Sequence, residues 1–536
     1  MKVFITFVVL LATCRADNAT LVEVQALIDR VLGSGRFAPA LELIDPTADG
    51  FDAFEIDSRE GAPVVLRGSS GVALASAFDW YLKYHTNCTI GWGRDGSGDS
   101  VASFPFDEPP SPAFERHERA AKWSYYQNVC TVGYSMIWWS WARWQREIDW
   151  MAMSGINLPL AFVGQEIVLD RVFREQFNVS SEGMDAFFSG PAFLPWNRMS
   201  NMRGWGGPLP RGWIEEQGVM QTKILRAMRA LGMTPVLAGF SGRVPAALQA
   251  MYPDADIIRA ADWNGFADEY GMDYMLAPTD PLFREIGAAV TSATVALFGD
   301  NGDGRPNVYN MDTYNEMTPP TSDPAFLANS SRAVFEAMVA GDAAGVWLMQ
   351  GWLFLETDFW QPEQIAAYLS PDAVPDDRMI VLDLAAEDQP QWPRMRNAGA
   401  TKPIIWCMLH NYGGRRDLYG NLSYISTQPV VDMATLGPGA MVGTGITPEA
   451  RRRHRTPRPP SRALSNDTRA CTGDRTESYH LRSAPRARAP HRASLASREA
   501  DQRGVLIRAT ALPPRDLASA HERDDVAARR EAHRHR

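Results

Sequence analysis

The chain has 536 residues, 45% of them apolar and 22% charged, enough for two or three domains with real cores. Its net charge of −10 is unevenly divided: residues 451–536 hold 21 Arg, no Lys and 10 Asp or Glu, so residues 1–450 carry −21. That acidic balance excludes a nucleic-acid-binding surface on the folded part.

Residues 1–16 read as a secretory signal, with Lys2 as the positive start, an apolar run from Val3 to Ala12, and Cys14-Arg15-Ala16 as a loose cleavage site. No other stretch is both apolar and long enough to span a bilayer. Sequons open at Asn18, Asn87, Asn178, Asn329, Asn421 and Asn466, in keeping with passage through the secretory pathway. Removal of the signal leaves Cys88, Cys130, Cys407 and Cys471, which allow three pairings. None has metal-ligand spacing, so no metal and no cofactor is expected.

Residues 17–112 read as a small α/β domain. Val22 to Leu32 has helical spacing, Phe51 to Ile56 and Pro63 to Arg67 are strand-like, and Gly71 to Tyr84 is a second amphipathic helix. The proline-rich stretch Phe106 to Pro112 marks a linker or domain edge.

From about 120 a strand–helix rhythm sets in. Strands are expected at Lys122 to Tyr126, Ile156 to Val163, Met233 to Phe240, Val308 to Met311, Gly345 to Met349, Met379 to Leu384, Pro403 to Met408 and Met441 to Thr444. Trp141, Trp144, Ile148 and Met151 form a helical stripe, as do Ile224, Leu225, Met228 and Leu231, while Asp280-Pro281 opens a helix running to Leu297. Pro159 falls inside one predicted strand, where a central ladder would lose a donor. Eight such steps over residues 113–450 fit a closed (β/α)8, TIM-like barrel better than an open sheet, and no dinucleotide fingerprint follows the early strands. Asp300 to Gly304 lacks calcium-loop spacing and reads as a turn.

Barrel catalysis sits where strands end. The residues there are Gln127-Asn128, Gly164-Gln165-Glu166, Ser241-Gly242, Asn315-Glu316, Gln350-Gly351-Trp352, Glu387, His410-Asn411 and Pro448-Glu449. No Ser or Cys nucleophile is paired with a base, and His410 reads as structural. Carboxylates, amides and tryptophans are what a sugar site needs. Strand analysis does not select Glu316 and Glu449 over Glu166 and Glu387.

Longer motifs do select them. Tyr125-Tyr126-Gln127-Asn128-Val129-Cys130-Thr131, Trp138-Trp139-Ser140-Trp141-Ala142-Arg143-Trp144, Gly190-Pro191-Ala192-Phe193-Leu194, Asp312-Thr313-Tyr314-Asn315-Glu316-Met317, Gln350-Gly351-Trp352, Trp406-Cys407-Met408-Leu409-His410-Asn411 and Met441-Val442-Gly443-Thr444-Gly445 resemble glycoside hydrolase family 89. The resemblance covers about 20 to 450 and is strongest after 120. It implies release of terminal non-reducing α-linked N-acetylglucosamine, as in heparan sulfate degradation, in the lysosome or after secretion. It further implies Glu316 as acid/base and Glu449 as nucleophile. Substrate contacts would fall on Asn128, Cys130, Tyr134, Trp196, Asn315, Trp352 and Trp406, with Cys130 a free pocket thiol. In an α-linked substrate the 2-acetamido group lies on the leaving-group face and cannot attack from behind, so a retaining enzyme supplies its own carboxylate.

The resemblance stops at Ala450, where family members continue into a helical domain closing one side of the site. Residues 451–536 are instead Arg-rich, with Tyr479 as the lone aromatic, and are expected to be disordered. They read either as a basic tail for polyanions or as translation in an altered frame. The alternative to an active enzyme is accordingly a truncated homologue that binds sugar without catalysis or does not fold.

Overall fold

The structure is a computed structural model that describes residues 18–449 apart from 92–97, 300, 302, 303, 412, 414–419 and 438. The signal reading of residues 1–16 and the tail from 451 lie outside the described residues, as does most of the Asp300 to Gly304 turn.

The N-terminal region begins with helix α1 (18–32). Strands β1 (Ala40–Leu43), β2 (Ala53–Arg59) and β3 (Ala62–Gly68) follow, and then helix α2 (Gly71–His85). Ser70 caps α2 by accepting the N–H of Ala73, which fixes where the chain leaves the sheet. Strand β4 (Glu115–Glu118) pairs antiparallel with β2, giving the order β1-β3-β2-β4. This small sheet therefore draws its outer strand from beyond the proline-rich stretch. Val24, Leu27 and Ile28 of α1 and Phe78, Tyr81 and Leu82 of α2 are buried in its core.

The barrel strands are β5 (Trp123–Tyr126), β6 (Leu158–Pro159) and β7 (Val236–Ala238), then, after a small hairpin of β8 (Ile257–Arg259) and β9 (Tyr274–Leu276), β10 (Val308–Asn310), β11 (Val346–Gln350), β12 (Met379–Asp383), β13 (Ile404–Met408) and β14 (Met441–Ile446). They pair in parallel in the order β6-β5-β14-β13-β12-β11-β10-β7. A parallel bridge between Leu160 and Val236 joins the two ends. Each of the eight expected strands has its counterpart, and the expected small domain and TIM-like barrel are both present. Strands β11 and β12 are buried along their whole length, as a sheet covered on both faces requires.

The longest departure is at the predicted strand Ile156 to Val163, of which two residues pair regularly. Pro159 lies at the closing seam, where the ladder is thin. Its neighbours supply the donors: Leu160 N–H reaches Tyr126 O at 2.6 Å and Ala161 N–H reaches Val236 O at 2.8 Å. A proline is tolerated there because the next two residues donate to the strands on either side, Leu160 to β5 and Ala161 across the seam to β7.

Among the outer helices, α3 (Trp141–Met153), α4 (Arg211–Ala230), α5 (Pro281–Phe298), α6 (Pro324–Gly341) and α7 (Leu422–Leu436) are the longest described. Asp280 caps α5 through the N–H of Leu282, and Pro281 occupies the first turn as its sequence predicts. No described helix is long and apolar enough to cross a membrane.

The small domain grips the barrel through charge and close packing. Arg30 on α1 makes a two-pronged pair with Asp149 on α3, at 2.8 and 2.9 Å. Arg119 donates to Gly155 O at 2.8 Å, just before β6. Gly71 lies so near the backbone of Leu231 that an added Cβ would sit 2.6 Å from its oxygen.

Candidate active site

Side-chain alternation along the strands decides what reaches the barrel mouth. Tyr126 points outward, its hydroxyl donating to Glu147 on α3 at 3.0 Å. Tyr125 points inward, against Gly445. Gln127 continues on Tyr125's side and is fully buried. The chain then turns: Asn128 Oδ1 accepts the N–H of Cys130 at 2.8 Å, and the Thr131 hydroxyl donates to Pro448 O at 2.6 Å. That bond joins the loop after β5 to the residue before Glu449.

Glu449 follows β14 and is half-buried. Its Oε2 accepts the backbone N–H of Gly413 at 2.5 Å. Burial pushes its carboxyl up from the usual range, Gly413 opposes the shift, and the negative charge of Glu316 adds to it. Glu316 comes from the turn after β10 and is exposed. Its Oε2 accepts two N–H groups, from the Trp263 indole at 2.7 Å and the Asn201 amide at 3.1 Å.

Two further groups feel both carboxylates. The Cys130 thiol is pushed well up, first by burial and then by the charges of Glu449 and Glu316. The Tyr134 hydroxyl is raised by burial, Glu449, Cys130 and Glu316. Trp196 meets the Tyr134 ring edge-on, centroids 5.1 Å apart at 89°. Asn128, Cys130, Tyr134, Trp196, Glu316 and Glu449 thus line one region of the mouth. Cys88, Cys130 and Cys407 are all free thiols.

The other strand-end acids are committed elsewhere. Glu166 is buried in a two-pronged pair with Arg198, at 2.8 and 3.0 Å. Glu387 is raised chiefly by burial and accepts the backbone N–H of His410 at 2.7 Å. Asn315 is buried beside Glu316, and Trp352 is half-buried on the turn after β11.

Trp406 departs from its expected place among the sugar contacts. It is fully buried, and its indole donates outward to Asp432 on α7 at 3.0 Å. Alternation along β13 explains this: Cys407 points inward, against Gly445, so Trp406 faces the helix layer. Asn201, Trp263 and Gly413 are site residues that strand-end reading missed. They lie on loops 115, 53 and 36 residues from their carboxylate partners, with no pattern to mark them. Among the described residues no three or more His, Cys, Asp or Glu are grouped to hold a metal ion.

A closed parallel barrel whose strand ends gather two coupled carboxylates beside aromatic rings is laid out as a (β/α)8 glycoside hydrolase. The family described as "Alpha-N-acetylglucosaminidase (NAGLU) tim-barrel domain" matches residues 124–456, and the N-terminal domain of that name matches residues 22–105. The chain belongs to this family. A human alpha-N-acetylglucosaminidase is 42% identical over 431 residues, or 80% of this chain and 56% of that protein. The family 89 glycoside hydrolase of Clostridium perfringens in complex with PUGNAc superposes with a TM-score of 0.70 at 30% identity, covering 82% of this chain and 47% of that one. The same coverage and identity hold for that protein with two glutamates changed to glutamine, in complex with its substrate GlcNAc-α-1,4-galactose, at a TM-score of 0.70. The chain spans about half the length of these relatives.

Proposed function

We propose that the chain is a retaining α-N-acetylglucosaminidase that removes terminal non-reducing α-linked N-acetylglucosamine, with Glu316 as acid/base and Glu449 as nucleophile. What supports this reading is that Glu316 and Glu449 follow barrel strands and stand near enough for the charge of Glu316 to reach Glu449, while Glu166 and Glu387 are held by structural partners. In the first half-reaction Glu316 protonates the leaving oxygen as Glu449 bonds to the anomeric carbon. In the second, Glu316 takes a proton from water, which displaces Glu449. The acetamido group of an α-glycoside is on the wrong face to replace Glu449, so the protein carboxylate is required. In this reading Asn128, Cys130, Tyr134, Trp196, Asn315 and Trp352 contact the sugar.

Heparan sulfate ends as the physiological glycan, and a lysosomal or secreted location, follow from the family resemblance. The exposed sequon asparagines Asn18, Asn87, Asn178, Asn329 and Asn421 support a secretory route.

The test is release of nitrophenol from the α- and β-anomers of the N-acetylglucosaminide. Turnover of the α-anomer alone is expected. Glu449→Ala should abolish it, and azide should restore part of it by attacking from the vacated side. Full activity in Glu449→Ala overturns the assignment.

A further inference from the structure

The two donors to Glu316 Oε2 come from separate loops that are locked together. Asn201 belongs to the segment after Trp196, whose carbonyl accepts the Asn201 N–H at 2.9 Å. Trp263 belongs to the excursion between β8 and β9. Arg203 ties the two: its guanidinium donates to Gly271 O at 2.8 Å, Met272 O at 3.0 Å and Asp268 O at 2.6 Å, and its backbone N–H reaches Tyr270 O at 2.7 Å. Trp205 packs edge-on against Phe266 and Tyr270 at 5.2 and 5.0 Å, and Phe266 stacks on Trp263. The excursion is thereby fixed so that the indole and amide converge on a single oxygen.

An indole N–H only donates, so Oε2 must present a lone pair to it. A proton on Oε2 would turn that oxygen into a hydroxyl, a poorer acceptor for two converging N–H groups than the carbonyl oxygen it is when the proton sits on Oε1. We propose that Trp263, supported by Asn201, is a positioning residue that keeps Oε2 unprotonated and confines the acid proton of Glu316 to Oε1. This inference rests on the reading of Glu316 as acid/base. The Oε1 proton passes to the glycosidic oxygen as its bond to the anomeric carbon breaks, that electron pair remaining on the oxygen, while a Glu449 oxygen forms the new bond to carbon. When water later attacks the anomeric carbon, its proton returns to Oε1 and the Glu449 oxygen departs with its bonding pair. Oε2 holds the same two partners throughout.

Trp263→Phe keeps the ring and removes the donor. A misplaced acid proton penalises substrates whose leaving group needs protonation and spares those that do not. On 4-methoxyphenyl α-N-acetylglucosaminide kcat/KM should fall roughly tenfold or more, and on the 2,4-dinitrophenyl glycoside less than about twofold. Equal losses on both substrates, or none on either, overturn the proposal. Glu316→Gln is the control: if it lacks leaving-group dependence, the acid/base reading fails, whatever Trp263→Phe does. A readout independent of turnover is the indole ¹H–¹⁵N resonance of Trp263, assigned by its loss in Trp263→Phe. It should shift in Glu316→Gln, and an unmoved resonance overturns the proposal.

Discussion

Gly413 donates its backbone N–H to Oε2 of Glu449 from a left-handed conformation, φ +55°. The same residue abuts Tyr134: an added Cβ would lie 2.9 Å from the tyrosine hydroxyl oxygen and 3.2 Å from its ring carbon. One glycine therefore fixes both a carboxylate and an aromatic wall of the mouth.

Gly413→Ala should lower kcat about tenfold, since left-handed backbone costs a non-glycine residue roughly 1–2 kcal/mol and the new methyl displaces Tyr134. The N–H of Gly413 opposes the upward shift of Glu449, so loosening that bond lets the carboxyl rise further. In the role proposed for it Glu449 must be ionised, so the acidic limb of the pH–rate profile should move to higher pH. Steady-state kinetics from pH 3.5 to 7 check both effects.

Asp383 lies under the mouth, buried at the end of β12, and burial pushes it from 3.8 to about 7. The N–H groups of Gln391 and Trp392 oppose the rise, and the charges of Asp432 and Glu387 add to it. Between these limits the folded chain holds a proton that the unfolded chain has released. Its contribution is therefore fully present below pH 3.8 and is lost as pH climbs toward 7. Asp383→Asn should flatten the fall in Tm between pH 4.5 and 7.5, measured by differential scanning fluorimetry against the parent chain. An unchanged slope would remove Asp383 from the linkage.

Trp406→Phe deletes an indole donor to Asp432, which retains Gln428 at 2.8 Å and Trp392 at 3.3 Å. The variant should lose about 1–3 kcal/mol of stability, from the lost bond and the smaller ring, with KM unchanged. Trp196→Ala, at the mouth, should raise KM instead. A raised KM with unaltered Tm in Trp406→Phe would return that residue to the sugar pocket.

What was readable in the chain follows from how local each cause is. Strand and helix positions rest on runs of side chains and caps a few residues apart, so Asp280-Pro281 announced α5 and Met379 to Leu384 announced β12. Glu166 looked as eligible as Glu316 because its neutralising partner, Arg198, is 32 residues away and carries no mark of the pairing. Trp406 was misplaced for a related reason: a conspicuous tryptophan in a motif says nothing of which side of the sheet it faces until the register is known. The Asn201, Trp263 and Gly413 contacts arise when separate loops meet, and no spacing rule encodes them.

The Arg30–Asp149 and Arg119–Gly155 contacts attach the small domain where the chain enters the barrel strands, at the end opposite the mouth. The contacts that hold the small domain to the barrel and the loops that carry Glu316 and Glu449 are thereby separated along the barrel axis. Residues of the loop after β5 such as Trp138, 63% exposed, can change without loosening the floor. The architecture lets the mouth be remodelled by rewriting loops alone.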